Sequence, residues 1–196
     1  MLRRLALTLA ITVGFASSVQ AADADAAKKF VDTVAAQVIA IAKDSHASQA
    51  DKQAKIETIF TDKVDISSIA KFVLGKNWRT ATPDQQSAYV SAYKPFILKN
   101  YAQRLAKYSG ETYTLKNAHP DGDAAVVTMA IHGADGQDVM VDYWLKGGSG
   151  AYKIVDIAVE GVSMRTTQRS EFNSIVENKG IDGLIEALKK QVAAKG

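Results

Sequence analysis

Five side chains carry enough chemistry to be weighed as catalytic: His46, His119 and His132, together with Asp142 and Asp156, which interrupt apolar runs. An imidazole that titrates near neutrality moves protons, and a carboxylate walled in by apolar neighbours becomes a general base. Spacing supports neither role. His46 and His119 fall in polar stretches and His132 ends an apolar alternation, so each reads as a solvated structural residue. Asp142 and Asp156 are expected to face water by strand alternation, with a buried general base as the alternative. The chain has no cysteine, which removes disulfides, thiolate metal sites and cysteine nucleophiles. No Walker loop, dinucleotide glycine fingerprint, zinc-protease helix or EF-hand loop is present, and Ala151 stands where a nucleophile elbow around Ser149 needs glycine. Neither a metal nor a cofactor is expected.

The elements that would position any site follow from periodicity. Residues 1–21 have the grammar of an export signal: Arg3 and Arg4, the apolar run Leu5 to Ala16, then Val19-Gln20-Ala21 before the acidic start Ala22-Asp23-Ala24-Asp25. That apolar run is too short to span a bilayer, which takes about 20 residues. The remainder, 22–196, is one domain by length. Lys+Arg number 24 against 21 Asp+Glu, and two of the arginines lie in the leader, so the exported chain is nearly neutral and not built to bind nucleic acid.

Phe30, Val34, Val38 and Ile41 repeat at helical spacing over Ala24 to Lys43, and a shorter helix is expected over Ala54 to Phe60. Asp65 caps a third helix that Gly75 closes, and Thr82-Pro83-Asp84-Gln85 starts a fourth with a capping box. Pro95 is expected to kink that fourth helix. From Gly110 the period becomes two, giving four antiparallel strands separated by turn chemistry at Pro120 to Asp123, Gly133 to Gly136 and Gly147 to Gly150. Helical spacing returns after Ser163, stops at Gly180 and resumes through Leu188. Helices, strands, then helices is an α+β order, with helices packed on one side of a curved antiparallel sheet. Both parities of Val126 to Ile131 and of Ile154 to Val159 are apolar. Such a sheet is covered twice or lines a cavity, and a helix packed on the outer face is the plainer expectation.

A set of blocks resembles the MlaC-type proteins, periplasmic phospholipid-binding components of toluene-tolerance ABC transport systems. The blocks are Val64-Asp65-Ile66, Phe72 to Arg79, Ala81-Thr82-Pro83 with Gln86, Tyr101 with Leu105 and Tyr108, and Val155 to Ser163 followed by Arg169 and Phe172. They cover nearly the whole exported chain in order. Leu74-Gly75 to Trp78-Arg79 and Glu160-Gly161-Val162-Ser163 are the specific ones, because secondary structure alone forces neither. Tyr89 and Tyr93 stand where the family often has phenylalanine, and Ile66 where it often has an aromatic residue.

The resemblance implies a cone-like fold with an apolar lipid cavity, a non-enzymatic monomeric carrier, and a periplasmic location. Its implied partners are a phospholipid, an outer-membrane lipoprotein-porin complex and the substrate-binding domain of an inner-membrane ABC transporter, in a system that maintains outer-membrane lipid asymmetry. It implies acyl-tail contacts from Phe72, Leu74, Trp78, Tyr93, Phe96 and Tyr101 on helices. On strands the implied contacts are Val127, Met129, Ile131, Val141 and Tyr143, with Val162 and Met164 beyond them. Lys76, Arg79, Arg165 and Arg169, with Lys71 beside them, are the implied headgroup or partner contacts, ordinary surface charge being the alternative. A cone-fold enzyme acting on a small apolar molecule remains the competing function; it needs Asp142, Asp156 or His132 inside the cavity. Cleavage after Ala21 is the first testable consequence. N-terminal sequencing of the exported protein should begin at Ala22 or within a few residues of it, and a soluble protein retaining Met1 to Ala21 would contradict the leader.

Overall fold

Ser48, Asp65, Thr82 and Ser163 each accept, through a side-chain oxygen, a hydrogen bond from the backbone N–H three residues on, and each starts a helix. At Thr82 the bond is reciprocal, because the Gln85 side chain accepts from the Thr82 N–H and completes the capping box. The computed structural model describes residues 24–107, 110–133, 136–148 and 151–194. The leader and Tyr108 lie outside the described residues.

Four helices and a short fifth precede the sheet: α1 (Ala24–Lys43), α2 (Gln49–Lys63), α3 (Ile66–Leu74), α4 (Lys76–Thr80) and α5 (Pro83–Leu105). Helix α2 is longer than the apolar spacing predicts, because the Ser48 cap starts it well before its apolar face begins. Pro95 lies inside α5, and the helix runs on through it; the carbonyl left without a donor belongs to Ser91, which is exposed to water. The strands β1 (Thr112–Asp121), β2 (Ala124–His132), β3 (Asp138–Lys146), β4 (Lys153–Val159) and β5 (Val162–Ser163) form an antiparallel meander in sequence order. The fifth strand, only two residues long, is one more than periodicity predicts. Helix α6 (Met164–Ala193) bends at Gly180, whose φ of 70° and ψ of 177° break the helical path where the sequence places the stop.

Register decides which side chains meet. Met129 pairs with Val141 and Val141 with Val159; Val127 pairs with Tyr143 and Tyr143 with Ile157; Ala125 pairs with Leu145 and Leu145 with Ile154. These rows form the inner face, which packs against Ala27 and Val31 of α1, Val73 and Leu74 of α3, Tyr89 and Tyr93 of α5, and Leu184 and Leu188 of α6. The pairing of β3 with β4 slips by one residue at Val155. That bulge lets both Ile154 and Ile157 join the inner face and accounts for the apolar residues on both parities of β4.

On the outer face Val126, Ala130, Val155 and Ala158 are buried yet belong to neither hydrophobic cluster. Among the described residues the helices place their apolar sides in the two clusters, and neither cluster includes these outer residues, where the sequence predicts a packed helix. Val126 lies in register between Trp144 and His119, and that larger flanking pair shields it.

Tyr89 and Tyr93 are completely buried against Phe172, whose ring meets each edge-on at centroid distances of 6.5 and 6.1 Å. Both hydroxyls are satisfied: Tyr89 donates to the Ala70 carbonyl at 3.1 Å and Tyr93 to Gln168 Oε1 at 2.7 Å. Burial raises both phenol pKa values above the ordinary 10.0, and for Tyr93 the neighbouring Tyr89, Tyr101 and Asp156 add to it. A folded-state pKa above the unfolded one means that the native phenol keeps its proton after the unfolded chain has lost it. The stability this contributes is complete below pH 10 and drains away as the pH rises beyond it. Urea unfolding should therefore show a free energy that falls once the pH exceeds about 10, and less steeply in a Tyr89→Phe, Tyr93→Phe double variant. Equal slopes in the two proteins would contradict this account.

Candidate functional site

The Val64-Asp65-Ile66 block sits where α2 hands over to α3, and each residue has a separate task. Val64 forms a parallel bridge with Ile154, and the Asp65 N–H donates to the Ile154 carbonyl at 2.9 Å, which fastens the junction to β4. The Asp65 carboxylate caps α3 by accepting from the Ser68 N–H at 3.0 Å. Ile66 begins the wall of a cavity that Ile69 continues. The opposite wall comes from Tyr93, Ile97 and Tyr101 of α5, the floor from Ile154 and Ile157 of β4, and one end from Met164, Arg165 and Gln168 of α6. Phe60 stacks on Tyr101 with ring centroids 6.2 Å apart and closes the other end. Burial raises the Tyr101 pKa, as a dry wall should. The cavity volume is ≈ 50 Å³, space for a few waters, whereas pockets for drug-sized ligands span about 300–1,000 Å³.

One carboxylate borders this apolar space. Strand alternation predicts Asp156 at the solvent face, and it does lie opposite Trp144 on that parity, but Ser163 and Arg165 at the start of α6 cover it and leave it 5% exposed. Its Oδ1 accepts from the Ile157 N–H at 2.8 Å and the Arg165 N–H at 3.3 Å; its Oδ2 accepts from Ser163 Oγ at 2.6 Å and lies 3.1 Å from Arg165 Nε. That last contact is a close ion pair without hydrogen-bond alignment, since Arg165 Nε is buried and makes no hydrogen bond. With both oxygens occupied, the carboxylate holds β4 to the start of α6.

Arg165 and Arg169 lie one helical turn apart and share a platform. Their guanidinium carbons stand 4.3 and 5.2 Å from the centre of the Phe72 ring. Gly75, which joins α3 to α4, has φ 58° and ψ −126°, and a Cβ placed on it would lie 2.8 Å from Arg169 Nε. Only glycine combines that backbone with that close approach. The Leu74-Gly75 block is thus shaped by an arginine far away in the sequence. The Glu160-Gly161 block is a tight hairpin turn between β4 and β5, with φ of 50° and 76° at its two central residues. Glu160 tolerates this unusual conformation while its carboxylate accepts from the Met140 N–H at 2.5 Å.

Of the residues weighed as tail contacts, Tyr93, Tyr101 and Met164 line the cavity. Phe72, Leu74, Trp78 and Phe96 on helices and Val127, Met129, Ile131 and Tyr143 on strands belong to the core packed around it. Val141 is buried opposite Met129, and Val162, beside the tight turn, is 54% exposed. Among the cations, Arg165 reaches the cavity, Lys76 lies 3.6 Å from Glu177, Lys71 sits 5.7 Å from the Trp78 ring, and Arg79 is exposed. Sequence reading did not single out Phe60, Ile69, Ile97 or Gln168 as lining residues, because their convergence depends on how α2, α3, α5 and α6 pack.

The other titratable candidates lie elsewhere. Asp142 accepts from Thr128 Oγ1 at 2.6 Å on the outer face, as alternation predicts. His132 bridges Asp138 at 2.6 Å and Thr114 at 2.9 Å, a hydroxyl-imidazole-carboxylate chain across exposed strands that borders neither described cavity. His46 and His119 are exposed. Among the described residues no group of three or more histidines or carboxylates is placed to hold a metal ion, and no helix is long and apolar enough to cross a membrane.

Residues 32–190 match the family model described as MlaC protein. The toluene tolerance protein ttg2D of Pseudomonas putida is 27% identical over 121 residues, 61% of this chain and 56% of that protein. The intermembrane phospholipid transport system binding protein MlaC of Haemophilus influenzae is 25% identical over 135 residues, 66% of this chain and 63% of that protein. The match thus spans less than two thirds of either curated relative's length. In fold, the chain is similar to a phospholipid-binding protein from Ralstonia solanacearum solved in complex with a phospholipid, with a TM-score of 0.75 and 22% identity over 86% of this chain and 98% of that one.

Removing one member of a buried ion pair leaves the other uncompensated, at a cost of about 3–5 kcal/mol. Asp156→Ala should lose stability on that scale in urea unfolding, while Ser163→Ala, which removes the cap and one of the bonds to Asp156, should lose about 1–2 kcal/mol. Equal losses would show that the cap, rather than the carboxylate, fastens α6.

Proposed function

The chain belongs to the MlaC protein family, and from that premise we propose that it is a phospholipid carrier. In this reading residues 1–21 direct export to the periplasm, and 22–196 form a single domain that holds acyl tails in the cavity between β4 and helices α2, α3, α5 and α6. The partners are an outer-membrane lipoprotein-porin complex and the substrate-binding domain of an inner-membrane ABC transporter, between which the carrier shuttles lipid. The apolar cavity carries the proposal: its wall is aliphatic and aromatic apart from Asp156, Arg165 and Gln168, which gather at the end formed by α6.

Two acyl chains hold about 30 methylenes, and at about 0.8 kcal/mol each their exposure to water costs on the order of 24 kcal/mol. Unassisted crossing of an aqueous compartment is negligible at that cost. A carrier removes it by exchanging one apolar surrounding for another, so the transfer itself is nearly balanced and direction comes from the partners. The headgroup gains nothing from burial and stays at the mouth. A cavity of ≈ 50 Å³ cannot take two tails, so loading requires its walls to part.

Native mass spectrometry of protein freshly purified from the periplasm should find a two-tailed phospholipid bound. Ile69→Trp fills the cavity without burying a charge and should reduce bound lipid severalfold, at a stability cost of about 1–3 kcal/mol. Lipid-free wild-type protein, or a folded Ile69→Trp variant with a full complement of lipid, would overturn the assignment.

A further inference from the structure

Four of the cations near the α6 end of the cavity have different surroundings. Lys76 is balanced by Glu177, and both are about two-thirds exposed. Arg79 is exposed on α4. Arg165 spends its Nε on Asp156 and its Nη1 on the Val155 carbonyl at 3.4 Å, which leaves its second terminal nitrogen uncommitted among the described residues. Arg169 is half-buried and has neither a carboxylate nor a hydrogen-bond partner among the described residues; it is held by the Phe72 ring and by the bare backbone of Gly75.

Two guanidinium groups thus stand one turn apart around one aromatic ring, and among the described residues the one carboxylate in contact with either, Asp156, is paired with Arg165. Like charges at this helical spacing repel each other. Asp156 compensates Arg165 and leaves Arg169 uncompensated. A guanidinium presents parallel N–H donors whose geometry matches two oxygens of a phosphate, and a ring and a backbone that hold it in place reduce the ordering cost of using them. Arg165 both lines the cavity and is 28% exposed, so it marks where the cavity meets solvent, and Arg169 stands one turn beyond it on the same ring.

We propose that Arg169, with the free edge of Arg165, clamps the phosphate of a glycerophospholipid whose tails enter the cavity, so that the protein selects phosphate-bearing diacyl lipids over neutral ones. The clamp rests on the carrier reading. It assigns to the protein a contact with the phosphate, which is common to all such lipids, and none with the group attached beyond it.

The experiment offers wild-type protein vesicles containing dioleoyl phosphatidylglycerol and dioleoylglycerol in equal amounts, then quantifies the lipids bound to the re-isolated protein. The phosphatidyl lipid should be preferred by about tenfold or more, as charge-assisted hydrogen bonds imply, and Arg169→Gln should bring the ratio close to one. Arg169→Lys keeps the charge but not the fork, and serves if Arg169→Gln fails to fold; its ratio should fall severalfold, and an unchanged ratio overturns the clamp. A wild-type ratio near one overturns the clamp alone, as does parallel loss of both lipids in a folded Arg169→Gln protein. Uptake of neither lipid by the wild type overturns the carrier reading and the clamp with it. Inorganic phosphate, titrated through the millimolar range while the Arg169 Nε–Hε NMR signal is followed, separates a lipid headgroup from free phosphate. No saturable shift is expected, and saturation would reassign the site to the free anion.

Discussion

The Asp156 carboxylate, 5% exposed at the border of an apolar cavity, is the constraint on which the rest of the site depends. An ionised carboxylate taken out of water is expensive unless its oxygens are occupied, and here two backbone N–H groups, a serine hydroxyl and a guanidinium occupy them. All but the Ile157 N–H come from the β5–α6 junction. The cost of burial is therefore offset only if α6 starts exactly one hairpin turn beyond β4, which fixes Met164 and Gln168 at the cavity and Arg165 at its edge. A hydrophobic residue at 156 avoids the cost of burying a charge, but it would not specify that position. The tight Glu160-Gly161 turn serves the same end, since a longer connection would let Ser163 swing away from β4.

The aromatic layer behind the cavity works through shape. Tyr89, Tyr93, Phe96 and Phe172 meet at tilted and edge-on angles. Such contacts favour specific geometries over a featureless apolar filling. The hydroxyls of Tyr89 and Tyr93 add bonds to α3 and α6 that phenylalanine would not make. In this chain α5 is thus hydrogen-bonded to two of its helical neighbours, α3 and α6, at the level of the cavity, which stiffens that wall.

Much of the fold was legible because its signals are local. Capping at Asp65 and Thr82, the period change near Gly110, the hairpin chemistry and the stop at Gly180 each act within a few residues, and each is found where the sequence places it. The short β5 was missed because a two-residue strand has no period. Asp156 keeps the parity that alternation predicts, opposite Trp144, but its burial by Ser163 and Arg165 depends on where the β5–α6 junction folds, which no local pattern encodes. The cavity was half legible for a related reason. Tyr93 and Tyr101 stand on a helix face whose aromatic character is plain and Met164 follows from the resemblance, whereas Phe60, Ile69 and Ile97 converge only through contacts between distant helices. Gly75 shows the same limit, since its partner Arg169 lies in another helix.

The bulge at Val155 also makes strand length a carrier of information. Most positions in a protein are specified by which residue they hold, but along β4 the inner face is specified by how many residues lie between Ile154 and Ile157. Any apolar residue at 155 would preserve the count. Loss of that single residue would restore a regular ladder and, in the same stroke, turn either the first half of β4 or the second half inside out. An insertion or deletion elsewhere in the exposed hairpin tips alters a loop; here it would exchange floor for outer surface. Homologous genes should therefore hold the length of this strand constant even where the residue at 155 varies.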